Sequence, residues 1–209
     1  MNFRYPIFLD LSGKTCLVVG EGHEIAGKVQ GLVDAGAKVR YVNPRAEAAI
    51  ETLAASGLIS WEQRAFEERD LDGCFLAIAD CEENATIFRL AEQRGVLVNA
   101  ADDPEHCRFS FGSVHRQGDL TIAISTNGAA PALAVRLRER FERDIGAEYG
   151  ELVRMLQKAR REIGSRIADF SVRRALWYRI VDSDILDKLR LGRREEAERS
   201  LRQMIENAI

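Results

Sequence analysis

The passage from Thr15 to Val42 constrains the fold more than any other part of the chain. A β-branched apolar run, Thr15 to Val19, ends in Gly20-Glu21-Gly22; a helical stretch from about Ile25 to Ala35 closes at Gly36; Val39 to Val42 is a second apolar run, stopped by Asn43-Pro44. Strand, glycine turn, helix and strand in that order make the opening βαβ unit of a doubly wound parallel sheet. The alternation continues with a helix over Ala46 to Ser56, strands over Leu58 to Trp61 and Phe75 to Ala79, a helix over Thr86 to Arg94 stopped by Gly95, and a strand over Val96 to Asn99. Parallel strands covered on both faces require continuous apolar runs of this kind.

After Pro104 the pattern changes. Phe109 to His115 and Leu120 to Ser125 read as two strands joined at Gln117-Gly118-Asp119, a hairpin-like turn. Pro131 stands where a first helical turn tolerates it, and Ala132 to Arg143 continues with helical spacing. From Glu148 the chain is helical and strongly charged, with breaks expected near Gly164 and Gly192 and a helix start at Asp182-Ser183-Asp184. The expected fold is α/β: a Rossmann-like doubly wound parallel sheet over 1–113, a small mixed α/β segment over 114–147 and a helical C-terminal region over 148–209.

With 46% hydrophobic and 30% charged residues, a chain of 209 has enough apolar side chains for a sizeable core. A net charge of -3 leaves no electrostatic footprint for nucleic acid or an anionic membrane. The N-terminus has no basic region followed by a long apolar stretch, and no apolar run reaches the roughly 18 residues that cross a bilayer. A cytoplasmic protein is expected. Cys16, Cys74 and Cys81 lie in or beside apolar runs and read as buried small hydrophobes. His23, His106 and His115 have no metal-ligand spacing; they read as surface or turn residues, and no resident metal site is expected.

Four signals bear on function. Gly20 and Gly22 let a backbone approach a pyrophosphate at a helix N-terminus, or simply make a tight turn; the third fingerprint position is Ile25, with Ala26 beside it. Asn43 stands where an acid usually meets the ribose hydroxyls, and Arg45 could meet a 2′-phosphate, so these residues leave NAD and NADP open. Asn99 to Pro104 follows an apolar strand, where Asp102 or Asp103 would face the crevice as a general base or form a plain Asp-Pro turn. Ser125 to Pro131 is a small, polar loop before a helix, suited to holding carboxylates or to capping. In the tail, Arg160-Arg161 and Arg173-Arg174 are solvated faces or, with Trp177 and Tyr178, a wall for a flat macrocycle.

Together these segments resemble the precorrin-2 dehydrogenase and ferrochelatase module of siroheme synthases. The similarity runs from Tyr5-Pro6-Ile7-Phe8-Leu9-Asp10-Leu11 through Cys16 to Gly20, Ala35 to Val39 and Phe75 to Ala79, and is densest from Val98 to Phe141. The resemblance implies removal of two hydrogens from precorrin-2 with reduction of NAD, giving sirohydrochlorin, and in some members insertion of ferrous iron. It places the key aspartate on Asp102, acting in proton transfer or metal delivery. The cofactor contacts that the resemblance implies are Gly20, Gly22, His23, Glu24, Pro44 and Arg45; Asn43 and Ala79 are further expected cofactor contacts, and Asn99, Ser125, Thr126, Asn127 and Gly128 are the expected substrate contacts. It also implies a homodimer joined through the segment 114–147, and precorrin-2 supplied by another protein, since no methyltransferase domain is present.

Glu21 stands where the family has another glycine, Gly27 where it has an arginine, and Gly112 where it has a proline; Ala129-Ala130 replaces a polar pair. Glu21 and Glu24 bring negative charge to the pyrophosphate position. The alternative expectation is a chelatase-only enzyme, or a non-catalytic homologue that binds tetrapyrrole or dinucleotide.

Overall fold

The computed structural model describes residues 4–22 and 24–208. It divides into two compact units, Met1–Ser110 and Phe111–Ile209.

The first unit is built on strands β1 (Thr15–Gly20), β2 (Lys38–Val42), β3 (Ile59–Glu62), β4 (Leu76–Asp80) and β5 (Leu97–Ala100). All pair in parallel, in the order β3-β2-β1-β4-β5. The chain winds outward from β1 through β2 to β3 and then crosses to β4, so the strand order reverses beside β1. Ligands of such sheets lie at this switch, beyond the carboxyl ends of the strands. Helices α1 (Ile25–Asp34), α2 (Ala48–Ala55) and α3 (Asn84–Arg94) connect the strands.

Side chains of β1 alternate between two cores. Cys16 and Val18 join one with Ile25, Val29, Tyr41 and Ile78, whereas Leu17 and Val19 join the other with Ala77, Ile87 and Val98. Burial on both faces is why these strands read as unbroken apolar runs, each large side chain adding about 1.5–3 kcal/mol. Burial also pushes the Cys16 thiol up to about 11, which suits a small core residue.

A 3-10 turn at Glu68–Leu71 was not expected. Its Asp70 is only 2% exposed, accepts from Arg64 Nη1 and Nη2 at 2.8 and 2.6 Å, and accepts from the Glu67 amide at 2.8 Å. A charged run, Glu67 to Asp70, conceals a paired and buried carboxylate.

The strand expected over Phe109 to His115 starts later, at Ser113. Residues before it belong to the first sheet's edge: Cys107 bridges antiparallel to Asn99, and the Arg108 amide donates to the Val98 carbonyl at 2.8 Å. The apolar Phe109 thus packs on the first core.

In the second unit β6 (Ser113–Gln117) pairs antiparallel with β7 (Leu120–Ile124). Five helices follow: α4 (Pro131–Asp144), α5 (Ala147–Arg166), α6 (Phe170–Val181), α7 (Ile185–Arg190) and α8 (Arg194–Glu206). Leu152, Met155, Ile163, Leu176, Ile180 and Ile185 are among the core shared by α5 to α8. The break expected near Gly164 falls just beyond it, α5 running through the glycine to Arg166. One glycine costs about 1 kcal/mol in a helix, and burial of Ile163 and Ile167 on either side outweighs it. The stop comes at Asp169, which caps α6 by accepting from the Ser171 and Val172 amides at 2.7 and 3.1 Å. His115 is a further correction: it is 5% exposed, not a surface residue, and its Nε2 lies 2.9 Å from the Ile145 carbonyl. Among the described residues no helix is long and apolar enough to cross a membrane.

Candidate functional site

The carboxyl ends of β1, β2 and β4 converge on the glycine turn. Gly20 has φ +108°, a conformation that L side chains rarely adopt, and a Cβ there would stand 2.0 Å from the Asp80 carbonyl oxygen. A Cβ on Gly22 would stand 1.6 Å from the Asp80 carboxylate. Both glycines are therefore set by Asp80, the last residue of β4, as much as by any ligand. Sequence reasoning missed Asp80; its place directly after the apolar run Phe75 to Ala79 was the available signal.

Tyr41 was missed as well. Its hydroxyl donates to the Gly20 carbonyl at 2.7 Å and lies 3.2 Å from the Arg45 carbonyl, tying the glycine turn to the end of β2. Burial, with the Glu21 carboxylate adding to it, pushes this hydroxyl up to about 12, so it stays a donor throughout the neutral range.

Asn43 donates through Nδ2 to the Arg45 carbonyl at 2.8 Å and to Glu21 Oε2 at 3.4 Å. Pro44 and Arg45 are exposed. Glu24 sits at the start of α1, 3.4 Å from Lys28 Nζ. Ala79 is fully buried, and its carbonyl accepts from the Ala101 amide at 2.8 Å. His23 lies outside the described residues. The turn fits a dinucleotide in backbone: glycines at the end of β1 lead straight into the amino end of α1, at the topological switch. Its charge is adverse, from Glu21, Glu24 and Asp80, although Asn43 and Lys28 partner the first two.

Two strand spacings away, about 10 Å, β5 ends in the second candidate loop. Asp102 is exposed, with φ +54°. The segment around it is pinned from both sides. Asn99, 8% exposed, donates to the Phe109 carbonyl at 2.9 Å. The Cys107 sulfur accepts from the Ala100 amide at 3.2 Å and meets the Ala100 and Asp103 carbonyls at 3.1 and 3.2 Å. Asp103 Oδ2 is 2.6 Å from His106 Nδ1, and the His106 ring meets Phe88 edge-on. Asp103 is thus engaged with His106 and Asp102 faces solvent, which distinguishes the two acids by geometry.

The small polar loop lies in the second unit. Ser125 Oγ accepts from the Asn127 amide at 3.1 Å, and Thr126 Oγ1 from the Ala130 amide at 3.2 Å. Asn127 and Gly128 have φ of +52° and +80°. Both hydroxyls keep their protons available for an incoming acceptor. Among the described residues no group of three or more His, Cys, Asp or Glu side chains could hold a metal ion.

Three family profiles match successive parts of the chain: an NAD(P)-binding family over residues 7–113, the sirohaem biosynthesis protein central region over 117–144 and the sirohaem synthase dimerisation region over 148–205. The chain is 36% identical over 204 residues to a siroheme synthase of Nitrosococcus oceani, covering 96% of this chain and 44% of that protein. It is 38% identical over 213 residues to siroheme synthase 1 of Pectobacterium atrosepticum, covering 99% of this chain and 44% of that protein. It therefore spans less than half the length of these relatives. A solved structure of SirC, a precorrin-2 dehydrogenase, superposes with a TM-score of 0.79 at 26% identity, covering 97% of this chain and 99% of that one.

Proposed function

The chain belongs to the siroheme synthase family, and we propose that it dehydrogenates precorrin-2 to sirohydrochlorin with NAD, ferrous iron being the substrate of a further chelatase step. One observation carries this most directly: the glycine turn and the solvent-facing Asp102 stand on the same carboxyl edge of one parallel sheet. Bound NAD supplies the hydride acceptor, so that precorrin-2 and NAD+ give sirohydrochlorin, NADH and a proton. Asp102 is the proposed acceptor of that proton, from a nitrogen or carbon of the macrocycle. Gly20, Gly22, His23, Glu24, Asn43, Pro44, Arg45 and Ala79 are the proposed dinucleotide contacts, with Tyr41 holding the turn in place. Asn99, Ser125, Thr126, Asn127 and Gly128 are the proposed substrate contacts, the loop offering hydroxyl and amide donors to carboxylates.

The same proposal makes the protein a cytoplasmic homodimer, with a dinucleotide domain over 1–113, a dimer-forming segment over 114–147 and a helical domain over 148–209. The sirohaem synthase dimerisation profile over residues 148–205 supports self-association. Asp102→Asn keeps the side chain's shape and removes its basicity. It is expected to slow dehydrogenation by about 10²-fold or more while NAD affinity, measured by calorimetry, stays unchanged. Wild-type turnover by that variant would remove Asp102 from the reaction. The acidic turn favours a second reading, a chelatase-only homologue, which predicts no saturable NAD binding.

A further inference from the structure

The C-terminal helices carry a cluster of side chains to which the proposed function assigns no role. Phe170, Arg173, Arg174, Trp177 and Tyr178 recur at i, i+3, i+4, i+7 and i+8 on α6, which puts all five on one side. Arg160, Ile163 and Gly164 do the same on the last turns of α5. The short turn between the helices brings the two sides together around an open groove of about 640 Å³, within the range of small-molecule sites. Ile163, 1% exposed, lies against the core below, and a Cβ built on Gly164 would meet nothing within 4 Å, so that side stays open.

The lining is unusual for a chain with net charge -3: three guanidinium groups, three aromatic rings and no carboxylate. Phe170 and Tyr178 are 70% and 60% exposed. Arg173 is fixed by donating from Nη1 to the Ile167 and Ala168 carbonyls at 2.7 and 2.8 Å. Its guanidinium carbon lies 5.9 Å from the Phe170 ring centroid, and that of Arg174 lies 5.8 Å from the Tyr178 ring centroid. Arg160 also lines an adjoining groove with Lys158 and Arg161, which extends the positive strip along α5. Guanidinium forks match carboxylates in pairs, and aromatic faces stack on a flat conjugated ligand. Neither feature alone selects a ligand. Together they select one that is flat and carries several carboxylates.

We propose that this groove binds a planar polycarboxylate, with its ring against Trp177 and Tyr178 and its carboxylates on Arg160, Arg173 and Arg174. It rests on the tetrapyrrole reading for the natural ligand, and it locates a docking subsite wholly within the helical unit. The test uses the full chain and uroporphyrin I, a stable octacarboxylate porphyrin, titrated against Trp177 emission in a Trp61→Phe background. Saturable binding is expected, weakened about tenfold or more by Arg160→Gln with Arg174→Gln. Both arginines are exposed, so thermal unfolding should show these variants folded. Mellitate, a flat hexacarboxylate, should compete, whereas citrate and NAD should not. An affinity unchanged in the arginine variants overturns the proposal, as does the absence of saturable binding, for instance because a second copy covers the groove. A chain that binds the porphyrin normally but never dehydrogenates precorrin-2 would refute the proposed function while leaving the groove standing.

Discussion

Gly20 and Gly22 occupy adjacent places in one motif yet answer to different atoms of Asp80. At Gly20 an added Cβ meets backbone and also requires φ +108°. At Gly22 it meets the far end of a carboxylate that can rotate away. Gly20→Ala should therefore be the more destabilising, by about 1–3 kcal/mol, and Gly22→Ala distinctly milder, as read from urea denaturation. Equal losses would mean that the turn is not braced by β4 in this way. The glycines were legible because the turn follows an apolar run and precedes a helical one. Asp80 and Tyr41 were not, since each contact depends on neighbouring strands far apart in sequence: Gly20 pairs with Asp80, and Val18 with Tyr41.

At the scale of elements, the segment between β3 and β4 is held in part by one buried ion pair, Arg64 with Asp70. Burial pushes the Asp70 carboxyl up, but the hydrogen bonds from Arg64 and the Glu67 amide prevail and hold it below its ordinary 3.8. A carboxylate with a lowered folded pKa contributes stability that is complete above the unfolded value and is lost as pH falls through the folded one. Asp70→Asn should cost about 1–3 kcal/mol at neutral pH, and it should flatten the fall in stability below about pH 4. An unchanged acid limb in pH-dependent denaturation would show that the pair contributes nothing. This element was illegible for a physical reason. The partners lie six residues apart in a charged stretch with no period, and only the packed structure reveals which acid is buried. Gly164 shows the converse: a visible helix-breaking residue is overruled by Ile163 and Ile167.

Across the whole molecule, the order of strands and helices was readable because parallel strands buried on both faces leave continuous apolar runs, and helices leave charged, periodic ones. The sheet's winding followed from that order, and with it the carboxyl edge where Gly20 and Asp102 stand. The residue types of the α5–α6 groove were also visible, but their convergence depended on how the two helices fold back on each other after Arg166, which a sequence pattern does not carry. Whether the acidic turn still serves redox chemistry is decided by the purified chain under anaerobic conditions, with precorrin-2 and NAD, following sirohydrochlorin absorbance without added metal. The account predicts sirohydrochlorin formed only when NAD is present, with one NADH for each product. A folded protein that yields no sirohydrochlorin, or yields it equally without NAD, would contradict it.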